Sequence, residues 1–206
     1  TASLGVAVFP NDGKDPENLL KNSELAMFRS KELGGNTIQR FSSELGMRIS
    51  NFLILENKLR SALKEGELTL FYQPQVAVVD HRVIGMEALI RWNPKKGKLI
   101  SPAEFIPVAE QSGLIVDIGA WVLKESLAHL KTIQETLRKD LYVSVNLSPR
   151  QFMDANLVRL VEENLKQAGL PPTGLELEIT ESTAMKNLDF TLQTLQALKS
   201  MGVRIA

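Results

Sequence analysis

Cysteine is absent from this chain of 206 residues. Disulfide frameworks and thiolate zinc sites are therefore excluded. An excess charge of either sign is absent too. The 24 basic and 24 acidic side chains cancel to a formal net charge of zero. That argues against a DNA or RNA polymer or a membrane surface as partner, and leaves room for a nucleotide held by a local site. No apolar run approaches the ~18 residues of a membrane span. No signal peptide is apparent, because the opening TASLGVAVFP reads as a short strand. There is no initiating Met, no low-complexity tract and no internal repeat. We expect the chain to be a piece of a longer protein, large enough for one domain or parts of two.

What is present is a run of alternating strand and helix signals. TASLGVAVF reads as a buried strand and PNDGKDPEN as a turn-rich loop. LLKNSELAMFRSKELGG reads as an amphipathic helix stopped by Gly34 and Gly35, and NTIQRF as a closing strand. Residues 42–66 predict a connecting helix, with Phe52, Leu55, Leu59 and Leu63 at helical spacing. Two strands follow, LTLFYQPQVAVVD and RVIGMEALIRW, with a turn near Asp80 and His81. Ser101 to Glu104, SPAE, predicts a capping box with Pro at the first helical position. It opens a helix ending near Gly113, and another is expected from about Gly119 to Leu137. LYVSVNLSP and GLELEITES read as strands, Leu157 to Ala168 and Phe190 to Ser200 as helices, and GVRIA as a further strand. This order predicts an α/β parallel sheet. The strands look too apolar for a wet face, which fits packing under helices.

Three of these strands carry an oxygen-bearing side chain near their end: Glu87, Asn146 and Glu178, the last followed by Glu181. In a parallel barrel the active site lies at the C-terminal ends of the strands, so the three converge if they share one. Carboxylate and amide oxygens suit Mg²⁺ or Mn²⁺. The two histidines, in a turn (His81) and a helix (His129), are not placed to compete. Spacing alone does not decide the matter. A strand-end Glu or Asn is commonly a cap or a solvated residue, and Leu175-Glu176-Leu177-Glu178 describes a half-exposed strand equally well. Gln73 fits a strand edge, Arg91 a surface cation, and Trp92 and Trp121 core packing.

YQPQV, MEALIRW, SPAEFIPVAEQSGLI, VSVNLSPRQF and LELEITES, in that order, resemble successive motifs of the EAL family of bacterial cyclic-di-GMP phosphodiesterases. The likeness runs from about Leu53 to Ala206. Residues 1–41 resemble the C-terminal part of a GGDEF (diguanylate cyclase) domain, with residues 42–52 as linker and start of the connecting helix. The resemblance implies a TIM-like (β/α)8 barrel of EAL type, incomplete in this chain, with one antiparallel strand and an α+β GGDEF fragment before it. It implies that Glu87, Asn146 and Glu178 bind two Mg²⁺ or Mn²⁺ ions. It implies that Glu181 stabilises the loop completing the site, that Gln73 and Arg91 contact the dinucleotide, and that Leu89 lines the pocket beside a base. The implied reaction is in-line hydrolysis of cyclic-di-GMP to linear pGpG.

The family's paired-Asp motif would follow Ala206, and a later Lys and Glu are also beyond it. The 206-residue stretch alone is therefore expected to be inactive and to self-associate through an open sheet edge. In the GGDEF-like part, Lys31 matches a triphosphate-contact pattern but Gly35 replaces its Arg. A degenerate GGDEF domain regulating an active EAL partner is expected. Contacts with a second copy, or with neighbouring GGDEF or sensor domains, are expected as well. So is a cytoplasmic location, any inner-membrane attachment being supplied by upstream segments. The competing readings are an EAL domain that binds cyclic-di-GMP without cleaving it, and a piece that acts only through packing.

Overall fold

Leu4 to Val6 and Ile38 to Arg40 are short β-rich runs separated by a helix-forming stretch, and they pair in parallel. In the computed structural model, which describes residues 1–137, 140–180 and 188–206, the chain divides into two units, Thr1–Lys58 and Leu59–Ala206. The first contains β1 (Leu4–Val6), α1 (Pro16–Glu32) and β2 (Ile38–Arg40), with Leu4 opposite Ile38. Helix α1 begins where Asp15 accepts the Asn18 backbone N–H at 2.9 Å, with Pro16 at the first position. That hydrogen bond holds the Asp15 carboxyl below its usual range. At Gly5 a Cβ would fall 2.0 Å from the Ser23 carbonyl oxygen, so the helix lies directly on β1. The strand is shorter than expected and is not buried, since Leu4 and Val6 are 51% and 39% exposed. Helix α2 (Ser43–Glu65) continues the chain across the division between the units and ends at Gly66, whose φ is +68°.

The second unit is built on a sheet of five strands among the described residues: β3 (Leu68–Val76), β4 (Val83–Trp92), β5 (Tyr142–Leu147), β6 (Leu175–Ile179) and β7 (Arg204–Ile205). They lie in that spatial order. β3 and β4 form an antiparallel pair, and the later neighbours are all parallel. One antiparallel strand beside a parallel series agrees with a TIM-like EAL fold. Among the described residues the unit's α-helices after β4 are α3 (Pro102–Ser112), α4 (Leu114–Thr136), α5 (Pro149–Phe152), α6 (Leu157–Ala168) and α7 (Leu188–Met201).

Alternation along the strands decides where the core forms. Val143, Val145, Leu175 and Leu177 are buried on the face that meets α4 and α6, along with Leu127, Leu130, Val161 and Leu165. Each such side chain removed from water contributes about 1.5–3 kcal/mol. Trp92 is buried edge-on against Phe105, and its indole N–H donates to Glu67 at 3.2 Å. The other face of β5 and β6 carries Ser144, Asn146, Glu176 and Glu178; it is polar, although Tyr142 and Ser144 on it are themselves buried.

Two local expectations are also corrected. Helix α4 begins at Leu114, after Gly113 in the left-handed region (φ +86°), and runs through Gly119. Gly119 is there for space rather than as a helix start: a Cβ would lie 1.6 Å from the Gln151 side-chain nitrogen. Ser101 does stand at the N-cap of α3 with Pro102 behind it, but its side chain makes no capping bond. The Glu104 N–H goes instead to the Ser101 carbonyl oxygen at 2.9 Å.

Candidate functional site

Residues paired across neighbouring strands point to the same face, so the ladder fixes which side chains share the polar side. Gln73 lies opposite Glu87, Glu87 opposite Ser144, and Asn146 opposite Glu178. Glu87 sits in the middle of β4 rather than at its end. The parallel pairing of β4 with β5 nevertheless stops one residue later, at Ala88 opposite Val145, while β4 runs on beside β3. Asn146 and Glu178 are each the last residue but one of their strands. All three thus stand at the C-terminal rim of the parallel ladder, on one face.

Their hydrogen bonds define the local electrostatics. The Asn146 side-chain NH₂ donates to Glu87 Oε1 at 2.7 Å. Ser144 Oγ lies 2.7 Å from Glu178 Oε1 and donates to it. Both donors are neutral, so they orient the carboxylates without cancelling their charge. The Asn146 Oδ1 remains as an acceptor. Two carboxylates and an amide oxygen on adjacent strands form a hard-oxygen set, and that donor chemistry fits Mg²⁺ or Mn²⁺. Among the described residues no group of three or more His, Cys, Asp or Glu could hold a metal. The candidate set therefore depends on Asn146.

Around this rim lie the other candidates. Gln73 is exposed on β3. Leu89 and Arg91 are half-buried on β4 and line a cavity of about 340 Å³ together with Ile106, Glu110, Ile118 and Asn146. The cavity is mostly apolar with a few polar groups in its lining, the usual make-up of a small-molecule site. The Arg91 guanidinium donates to the Ile90 carbonyl oxygen at 2.8 Å and lies 5.5 Å over the Phe71 ring. Glu181 lies outside the described residues.

The loop after β5 is braced in a way the sequence reading missed. Ser148 and Gln151 form a reciprocal capping box at α5, with Pro149 at its first position. The signal was present in Ser148-Pro149-Arg150-Gln151, hidden by the brevity of the helix. Arg150 donates to the carbonyl oxygens of Glu110 at 2.7 Å and Gln111 at 3.2 Å, tying α5 to the end of α3. A deeper polar layer was also missed. The Arg204 guanidinium lies 4.3 Å over the Tyr142 ring. Burial pushes the Tyr142 hydroxyl up from its usual range, and the Glu176 charge adds to that, against the opposing pull of Arg204.

The chain is 40% identical over 206 residues to the bifunctional diguanylate cyclase/cyclic di-GMP phosphodiesterase MucR of Pseudomonas aeruginosa, covering 100% of this chain and 30% of that protein. It is also 40% identical over 206 residues to the cyclic di-GMP phosphodiesterase NbdA of the same organism, covering 100% and 26%. The chain thus spans under a third of these relatives' length. Among solved structures, the PaMucR phosphodiesterase in complex with c-di-GMP is 44% identical with a TM-score of 0.71, covering 73% of this chain and 61% of that one. The EAL enzyme Bd1971, bound to cAMP and cyclic-di-GMP, is 31% identical with a TM-score of 0.74, covering 92% and 50%. The EAL domain model matches residues 56–206, most of the chain's length, and the chain belongs to the EAL domain family.

Proposed function

We propose that the protein carrying this chain hydrolyses cyclic-di-GMP to linear pGpG, and that the polar rim of β4, β5 and β6 is where it does so. The observation that carries this reading is the meeting of Glu87, Asn146 and Glu178 on one face of three neighbouring strands in an EAL-family chain. Relatives named as cyclic di-GMP phosphodiesterases, and neighbours solved with that dinucleotide, support it.

Glu87, Asn146 and Glu178 would hold Mg²⁺ or Mn²⁺, two ions in all. Such ions, when bound, polarise a phosphoryl oxygen and make water a nucleophile at neutral pH. The chain's own residues supply binding and orientation. The Asn146 amide holds the Glu87 carboxylate in place. The Arg91 guanidinium is permanently charged and has a forked set of donors suited to a phosphate. Leu89 offers an apolar wall to a base, and Gln73 a side-chain amide from the exposed strand. Glu181 would stabilise the loop that completes the site.

Residues 1–41 are proposed as the tail of a GGDEF domain. The alignment with bifunctional MucR extends over the whole chain, upstream of the EAL match. The Gly35 departure argues for a regulatory rather than a synthetic role for that domain, acting through contacts with the EAL part or a second copy. Among the described residues no single helix is long and apolar enough to cross a membrane. A cytoplasmic site of action is proposed, where a nucleotide second messenger would be met.

The test incubates the full-length protein with cyclic-di-GMP and Mg²⁺ or Mn²⁺ and follows pGpG, with Glu87→Ala as control. Metal-dependent turnover lost in Glu87→Ala is the expected result. Tight binding without turnover would make the protein a receptor and sink the hydrolytic reading.

A further inference from the structure

Beneath the candidate ligands lies a layer of hydrogen-bonded polar side chains centred on Ser144. Ser144 stands one rung below Asn146 on β5, on the same face, and is 0% exposed. Its hydroxyl oxygen lies 2.7 Å from Glu178 Oε1, 3.1 Å from Glu176 Oε1 and 3.2 Å from Gln75 Nε2. A serine hydroxyl has one proton to donate and two lone pairs. The Gln75 NH₂ can only donate, so Ser144 accepts there. The single Ser144 proton is then left for the β6 carboxylates, and the shorter contact is the one to Glu178.

Two further features favour this arrangement. Gln75 reaches from β3 past β4 because its opposite number on β4 is Gly85, which has no side chain in the way. A Cβ at Gly85 would also meet the Tyr142 ring at 2.7 Å. The Gln75 Oε1 is buried with no hydrogen-bond partner, while its Nε2 is spent on Ser144. Turning the amide over would place an acceptor at Ser144 and draw its proton away from Glu178. An orphaned buried acceptor is unfavourable, and native structures retain such groups where something else depends on them.

We propose that Ser144 is a positioning residue for the cation site. Its hydroxyl, held by Gln75, fixes Glu178 through Oε1 and leaves the other carboxylate oxygen for a divalent ion. This rests on the reading of Glu178 as a metal ligand. Partners that orient a ligand in this way typically contribute about 10–100-fold to metal affinity or activity.

The experiment titrates the full-length protein with Mn²⁺ alone and reads free ion by electron paramagnetic resonance, with melting curves alongside. The variants are Ser144→Ala, Gln75→Met and Glu178→Gln. Ser144→Ala is expected to weaken Mn²⁺ binding about tenfold, and Gln75→Met to weaken it by less. A purely structural Ser144 would move the melting curve and leave Mn²⁺ affinity alone; unchanged affinity in both variants overturns the proposal. If Ser144→Ala does not fold, Gln75→Met decides by the same criterion. If Glu178→Gln binds Mn²⁺ as the parent does, the ligand assignment itself has failed, and the role of Ser144 falls with it.

Discussion

The two faces of β5 and β6 differ in everything except their backbone. On one, Val143, Val145, Leu175 and Leu177 are almost completely withdrawn from water against the helices. On the other, Ser144, Asn146, Glu176 and Glu178 form hydrogen bonds with side chains of neighbouring strands. Successive residues therefore answer to different demands: odd positions hold the fold and even ones, on the proposed reading, serve the site. A substitution on one face should act on stability, and on the other on chemistry.

The hardest way to break that comparison is Val145→Asp, which puts an unpaired charge among apolar side chains. A loss of more than about 4 kcal/mol is expected, enough to unfold the unit. Chemical denaturation followed by circular dichroism checks it, and a folded variant of near-parental stability would refute the assignment of faces. Gly119→Ala comes next, because its Cβ meets the Gln151 side chain. Overpacking there should lower stability by about 1–3 kcal/mol, read as a shifted denaturation midpoint. The two helix starts form a finer pair. Ser148 caps α5 and Ser101 does not cap α3 through its side chain. Ser148→Ala should cost about 1 kcal/mol and Ser101→Ala much less, and equal losses would contradict the structure. The smallest effect concerns pH. Glu67 accepts the Lys95 N–H at 3.0 Å and the Trp92 indole N–H, which lower its pKa below the usual carboxylate value. A depressed carboxylate contributes stability above its unfolded pKa and loses it as pH falls through the folded one. Glu67→Gln should therefore flatten the acid side of the stability profile below about pH 4.5, measured as melting temperature against pH.

Much of this arrangement could be read from the residues. The strand and helix order, the stop at Gly34 and Gly35, and the places of Asn146 and Glu178 near the ends of β5 and β6 follow from periodicity and turn chemistry. Other features could not. Glu87 lies mid-strand, and only the point where β4 leaves β5 makes it a rim residue. Gly119 resembles a helix start unless Gln151, thirty-two positions away, is known to sit against it. Ser144 and Gln75 are ordinary strand polar residues until pairing brings them together across β4. In each case the missing information is long-range contact, which local pattern does not encode.

The central claim is that the polar face is a catalytic rim whose first element is Glu87. Its most direct test measures pGpG formation and melting temperature together for the full-length protein and its Glu87→Gln variant. Glu87 is half-buried on the open face, so its loss should leave stability within about 0.5 kcal/mol. Turnover should fall by more than the about 10–100-fold expected for an outer partner. Loss of turnover with an unchanged melt is the predicted result. Retained turnover, with or without a shifted melt, would contradict the account.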